Sequence, residues 1–133
     1  MSTSDFGETA YLTAAFEDGT VFTDIYIGLS TTAPADDNTN VTEPSGNGYA
    51  RIQHSDNTAT PGNWTISGDT ADNLAVVDFG TASGSWGTIS HFVIYDALTV
   101  GNLLHYGTLS ASKAVATDDQ VQFSATNLAI TAA

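Results

Sequence analysis

Residues 88–96 read TISHFVIYD. Strand alternation places Ile89, Val93 and Tyr95 on one face and Phe92 and Ile94 on the other. A strand with apolar residues on both faces belongs in the middle of a sheet or sandwich, covered from both sides. Working outward, residues 24–30 (DIYIGLS) put Ile25, Ile27 and Leu29 on one face and Tyr26 and Gly28 on the other. Further short runs follow at residues 49–54, 64–67, 74–79, 103–109, 120–124 and 128–131. Turn residues separate them about every ten positions, the spacing of all-β sandwiches and barrels. The expectation is an all-β, antiparallel β-sandwich of about eight strands, jelly-roll or Ig-like. One short N-terminal helix is expected over residues 7–16 (GETAYLTAAF), stopped by Asp18-Gly19. Helices between strands are missing from the pattern, which argues against a parallel α/β sheet. The length of 133 residues, with no internal repeat or linker, suits a single domain over residues 1–133.

Charge narrows the function. Fifteen carboxylates face two fixed cations, Arg51 and Lys113, for a net charge of −13. Nucleic-acid binding needs lysines and arginines to displace phosphate counterions, so DNA and RNA are not expected as partners. An anionic membrane surface is disfavoured for the same reason, and no run approaches 18 apolar residues. The opening MSTSDFGETA has neither a basic region nor an apolar core, so no signal peptide is expected. There are no cysteines, which removes disulfides and thiolate–metal sites.

Residues with chemical potential are few. The three histidines, His54, His91 and His105, fit no catalytic motif, and each reads as a strand residue. His91 and His105 fall in neighbouring strands and could approach each other, but no third metal ligand is selected by spacing. Asp36-Asp37 and Asp118-Asp119 sit in turn-like settings, where Asp bonds nearby backbone N–H groups. Asp36, Asn38 and Asn40 have the alternate spacing that opens an EF-hand loop, but Val41 holds the glycine position and Asn47 the twelfth. No catalytic residue, metal or cofactor is therefore expected. Trp64, Trp86, Tyr49 and Tyr106 are the aromatics that could stack on a glycan if exposed, with Trp64 and Tyr106 the candidate contacts, whereas buried rings would serve a core.

Arg51 stands three residues after the glycine-rich Ser45-Gly46-Asn47-Gly48 and two beyond Tyr49. With carboxylates so abundant, its default role is an ion pair, within the fold or across a subunit interface. If Ala50 and Ile52 face the core, Tyr49 and Arg51 face solvent or a partner. Tyr and Arg are the types most enriched at interface hot spots, so both are candidate assembly residues. On that reading, Arg51→Ala should weaken assembly more than monomer stability.

The ordered series YIGLSTTAPADD, TEPSGNGYAR, GSWGTISHFVIYDALTVGNLLHYGTLSASKAV, DDQVQF and LAIT resembles a family of small bacteriophage virion proteins described as tail fibre proteins. The resemblance spans about residues 8–131. Gly48-Tyr49-Ala50-Arg51 matches the family's turn and strand, and Trp86–His91 its central strand. Asp96-Ala97 and Gly101–Leu104 match its following turn, with Val100 in place of the first glycine. Asp118 stands where the family's final hairpin has glycine. The resemblance implies a non-enzymatic virion structural protein of the tail fibre or baseplate. Its expected partners are other virion proteins and itself, as a homo-oligomer with a trimer as the first expectation. Capsid decoration and a glycan-binding β-sandwich that recognises a host surface are the alternatives.

Overall fold

The computed structural model describes residues 24–55, 64–67, 70–73, 76–124, 127 and 129–131. The helix expected over residues 7–16 lies outside them. Among the described residues the secondary structure is entirely β, in nine strands. These are β1 (Ile25–Ser30), β2 (Ile52–Ser55), β3 (Trp64–Ser67), β4 (Thr70–Asn73), β5 (Val77–Thr81), β6 (Gly87–Tyr95), β7 (Leu103–Val115), β8 (Gln120–Phe123) and β9 (Ala129–Thr131).

The chain divides into two compact units. One comprises Tyr26–Gln53 and Asp78–Gln122. Its main sheet has the order β2-β1-β6-β7, and β5 pairs with β8. β6 runs antiparallel between β1 and β7, with Gly28 opposite Val93 and Leu29 opposite Phe92. The two-faced apolar pattern of residues 88–96 thus does mark an interior strand. Ile27, Leu29, Ile89, Val93, Ile94 and Val115 are completely or almost completely buried and form this unit's core. Phe92 lies opposite Gly107, where a Cβ would stand 2.5 Å from the ring's Cε1. Glycine there leaves room for the phenyl ring, which covers the bare backbone.

The second unit holds the sheet β3-β4-β9, antiparallel throughout. Buried Asn73, at the end of β4, donates from Nδ2 to the carbonyls of Phe123 (3.3 Å) and Ser124 (2.9 Å). A buried amide with two backbone acceptors is satisfied and fixes the adjacent chain.

Two differences from the sequence expectation have physical causes. β4, with the sequence TADN, has no apolar alternation and was not expected; it is a strand because β3 and β9 pair with it on either side. β7 continues past Leu109 to Val115, carrying the polar stretch SASK. Its pairing partner changes from His91↔Thr108 to Ile89↔Lys113, so four residues of β7 bulge opposite one residue of β6. Such bulges add residues to one strand without ending the ladder.

Candidate functional site

The site begins with a turn. Gly46 (φ 73°), Asn47 (φ 55°) and Gly48 (φ 83°) are all left-handed, a conformation that glycine and asparagine enter most readily. The turn is closed by Tyr49 N–H donating to the Gly46 carbonyl at 3.1 Å. It folds Arg51 back onto Glu43. Nε donates to Glu43 Oε1 at 3.0 Å and Nη2 to Oε2 at 2.7 Å, a two-pronged guanidinium–carboxylate pair. Nη1 donates to the carbonyls of Ala97 and Val100, each at 2.8 Å. The guanidinium carbon lies 3.6 Å from the centre of the Tyr95 ring, a cation–π contact. Arg51 is only 8% exposed. Four of its five N–H groups are engaged by its own chain, so almost no hydrogen-bonding capacity remains for a ligand.

Tyr49 completes the cluster. Its hydroxyl donates to Glu43 Oε1 at 2.7 Å and accepts the Leu29 N–H at 2.9 Å. Its ring stacks on Phe79, with centroids 6.2 Å apart, and meets Trp86 edge-on at 5.4 Å. Burial pushes the hydroxyl's pKa far up, and the neighbouring Glu43 charge adds to the effect. Gly28 makes the approach feasible. A Cβ there would stand 2.7 Å from Glu43 Oε1 and 2.9 Å from the Tyr49 hydroxyl.

The Arg51 bonds grip the β6–β7 turn. Asp96 accepts from the Asn102 backbone N–H (2.7 Å) and side-chain amide (2.9 Å). Those bonds hold the Asp96 carboxyl below the ordinary carboxylate range. Val100 (φ 57°) and Gly101 (φ 75°) make the reversal. Between Glu43, Pro44, Arg51 and the Leu98–Val100 segment lies an open cavity of about 310 Å³. Around the same end, Tyr95 donates to Asn38 Oδ1 at 2.5 Å and the Tyr106 hydroxyl donates to Asp36. Two tyrosines from neighbouring strands thereby fasten the loop that carries Asp36, Asp37 and Asn38.

The facing expected for residues 49–51 is inverted: Ala50 is exposed while Arg51 is buried and Tyr49 half-buried, and Ile52 is half-buried as well. Periodicity gives the spacing of a face, not which face looks inward. Residues 49–51 are extended chain ahead of β2, which begins at Ile52. The ion pair is within the chain, the first of the two defaults. Tyr49's enclosed ring is not open for stacking. Tyr106 is 39% exposed. Trp64 opens β3, and its side chain lies outside the described residues. His91 and His105 do not meet across the β6–β7 ladder. His91 is opposite Thr108, whereas His105 is opposite Ile94, three positions along and on the other face. His91 Nδ1 is instead 2.7 Å from Ser90 Oγ. Asp118 takes a left-handed φ of 70° where the family has glycine, so the turn forms without it.

The residues missed from sequence were Glu43, Tyr95 and the carbonyls of Ala97 and Val100. Fifteen carboxylates hide any one partner. The available signal was a glutamate eight residues before the lone arginine, across a Gly-Asn-Gly turn that can bring the two together.

Among the described residues, fold and site together define an all-β architecture of antiparallel sheets in which the chain's single arginine is consumed in fastening its own chain. The family model described as Podophage GP4 fiber I protein gp80 matches residues 2–131, and the chain belongs to that family. It is a bacteriophage fibre protein and a component of the virion. No curated protein matches the chain.

Proposed function

We propose that this chain is a non-enzymatic structural subunit of the phage tail, at the fibre or baseplate. It joins other virion proteins, and copies of itself, through protein–protein contacts. The observation that carries this reading is the fibre-family match over residues 2–131. The four-stranded sheet β2-β1-β6-β7 and the β5–β8 pair fit a sandwich architecture in the unit that bears the arginine. Arg51 serves assembly from beneath, by holding the β6–β7 turn in shape rather than by touching a partner, and Tyr49 braces the Glu43 carboxylate that Arg51 pairs with. Self-association, with a trimer as the first state to test, has a candidate surface in β7, which among the described residues is an edge strand of 13 residues whose one fixed charge is Lys113. Unpaired strand edges are natural sites for pairing with another chain.

Cryo-electron microscopy of intact particles tests the reading. Density for this fold on the tail or baseplate is expected. Density on the capsid lattice would make the chain a decoration protein and would end the tail assignment.

A further inference from the structure

The β6–β7 turn exposes two large apolar side chains, Leu98 (52%) and Val100 (83%). Val100 is the more telling. It is β-branched and sits at φ 57°. A non-glycine residue there costs roughly 1–2 kcal/mol, which glycine would avoid. The fold thus accepts backbone strain to keep an isopropyl group in solvent, and local strain of this kind concentrates at functional positions.

The turn is also held rigidly. Arg51 Nη1 binds the carbonyls of Ala97 and Val100, on either side of Leu98 and Thr99. Asp96 clasps Asn102 across the base of the turn. Fixing a contact segment in advance lowers the ordering cost of binding. The 310 Å³ cavity beside the turn gives a partner side chain somewhere to enter.

Charge selects the occupant. Asp36, Asp37 and Asp96 lie at this end of the sheet, joined to it through Tyr106, Asn38–Tyr95 and the turn itself. Hydrogen bonds from Thr39 and Asn102 favour the charged forms of Asp37 and Asp96. Arg51 is buried against Glu43, and Lys113 sits opposite Ile89, toward the other end of the β6–β7 ladder. Among the described residues, this end therefore presents carboxylates and no exposed fixed cation. Two copies meeting tip to tip would press like charges together in a chain of net charge −13.

We propose that Leu98 and Val100 form a pre-set apolar plug that docks into a recess on a different virion protein, one whose rim carries lysine or arginine. The proposal rests on the reading of the chain as an assembly subunit. It is separate from self-association through β7.

The test is made in assembled particles. Leu98 is replaced by photoreactive p-benzoylphenylalanine, the particles are irradiated, and cross-linked peptides are identified by mass spectrometry. The expected product joins position 98 to a non-identical virion protein, in a segment where apolar residues are flanked by lysine or arginine. A cross-link to a second copy of this chain overturns the proposal, as does the absence of cross-links in particles that contain the chain. Absence of the unmodified chain from purified particles would instead defeat the assembly reading itself. A second variant guards against a photoreactive group that blocks incorporation. Val100→Gly should leave thermal stability unchanged or raised, because glycine relieves the strain. The same variant should reduce copies per particle about tenfold, the scale of losing one hot-spot side chain. Normal incorporation of Val100→Gly would also overturn the proposal.

Discussion

Tyr49 and Tyr106 make the same bond, a phenol donating its proton to a carboxylate, Glu43 in one case and Asp36 in the other. Their surroundings differ in almost every respect. Tyr49 is walled by Phe79 and Trp86, its hydroxyl also takes a strand N–H, and its carboxylate partner is locked to a buried guanidinium. Tyr106 stands on an exposed part of β7 against a surface loop. The pKa of each phenol is raised, but burial is the leading cause for Tyr49 and the Asp36 hydrogen bond for Tyr106. The difference teaches that a polar contact gains structural weight from what it excludes. Water can replace Asp36 at Tyr106; nothing replaces Glu43 inside the cluster.

The largest effect should come from removing the cation. Arg51→Ala leaves Glu43 without its counter-charge, frees two carbonyls of the β6–β7 turn and uncovers Tyr95. Removing one partner of a buried, hydrogen-bonded pair costs about 3–5 kcal/mol. Urea unfolding should show a loss in that range. A loss below about 1 kcal/mol, the scale of exposed pairs, would mean that solvent already screens the cluster.

Next is Gly28→Ala. The added methyl would collide with Glu43 Oε1 and the Tyr49 hydroxyl. Overpacking of this kind costs typically about 1–3 kcal/mol. The double variant Gly28→Ala with Tyr49→Phe should cost less than the sum of the two, because deleting the hydroxyl removes one collision. Strict additivity would place the strain elsewhere.

Tyr49→Phe alone should cost about 1–3 kcal/mol by stranding the Leu29 N–H and one Glu43 lone pair. It also has a pH signature. The folded phenol has its pKa raised above the ordinary 10.0. Above pH 10 the unfolded chain releases this proton and the folded chain keeps it, so stability falls as pH rises. The tyrosine's contribution is fully present below pH 10 and is lost progressively above it. Tyr49→Phe should flatten the alkaline limb of a stability–pH curve, and an unchanged limb would show that Tyr49 ionises freely in the folded state.

Much of the fold was legible in residues whose pattern has one physical meaning. TISHFVIYD could only be a covered strand, and Ile25, Ile27 and Leu29 are all buried as their alternation implied. β4 and the far half of β7 were not legible, because their strand character comes from the partners they pair with and not from their own side chains. The candidate site was half legible. Its oddity, a lone arginine after a Gly-Asn-Gly turn, stood out at once. Its direction did not, since burying a charge depends on a partner 8 residues away and on carbonyls from a turn 46 and 49 residues away. Val100 is the opposite case. Its identity was visible as a departure from glycine, but only its backbone angle reveals the strain.

Tyr106→Phe is the smallest expected effect and the sharpest check on the comparison. It deletes the exposed partner of Asp36 and leaves the ring, the β6–β7 register and Asn38–Tyr95 in place. Surface substitutions of this kind stay within about 0.5 kcal/mol. If Tyr106→Phe were as costly as Tyr49→Phe, burial would not be what separates the two tyrosines, and the Asp36 loop would have to be a fastening equal to Arg51. If it is silent while Tyr49→Phe is not, the same bond has been measured in two settings. The difference is then the weight that enclosure by Phe79, Trp86 and the Glu43–Arg51 pair gives to a single hydroxyl.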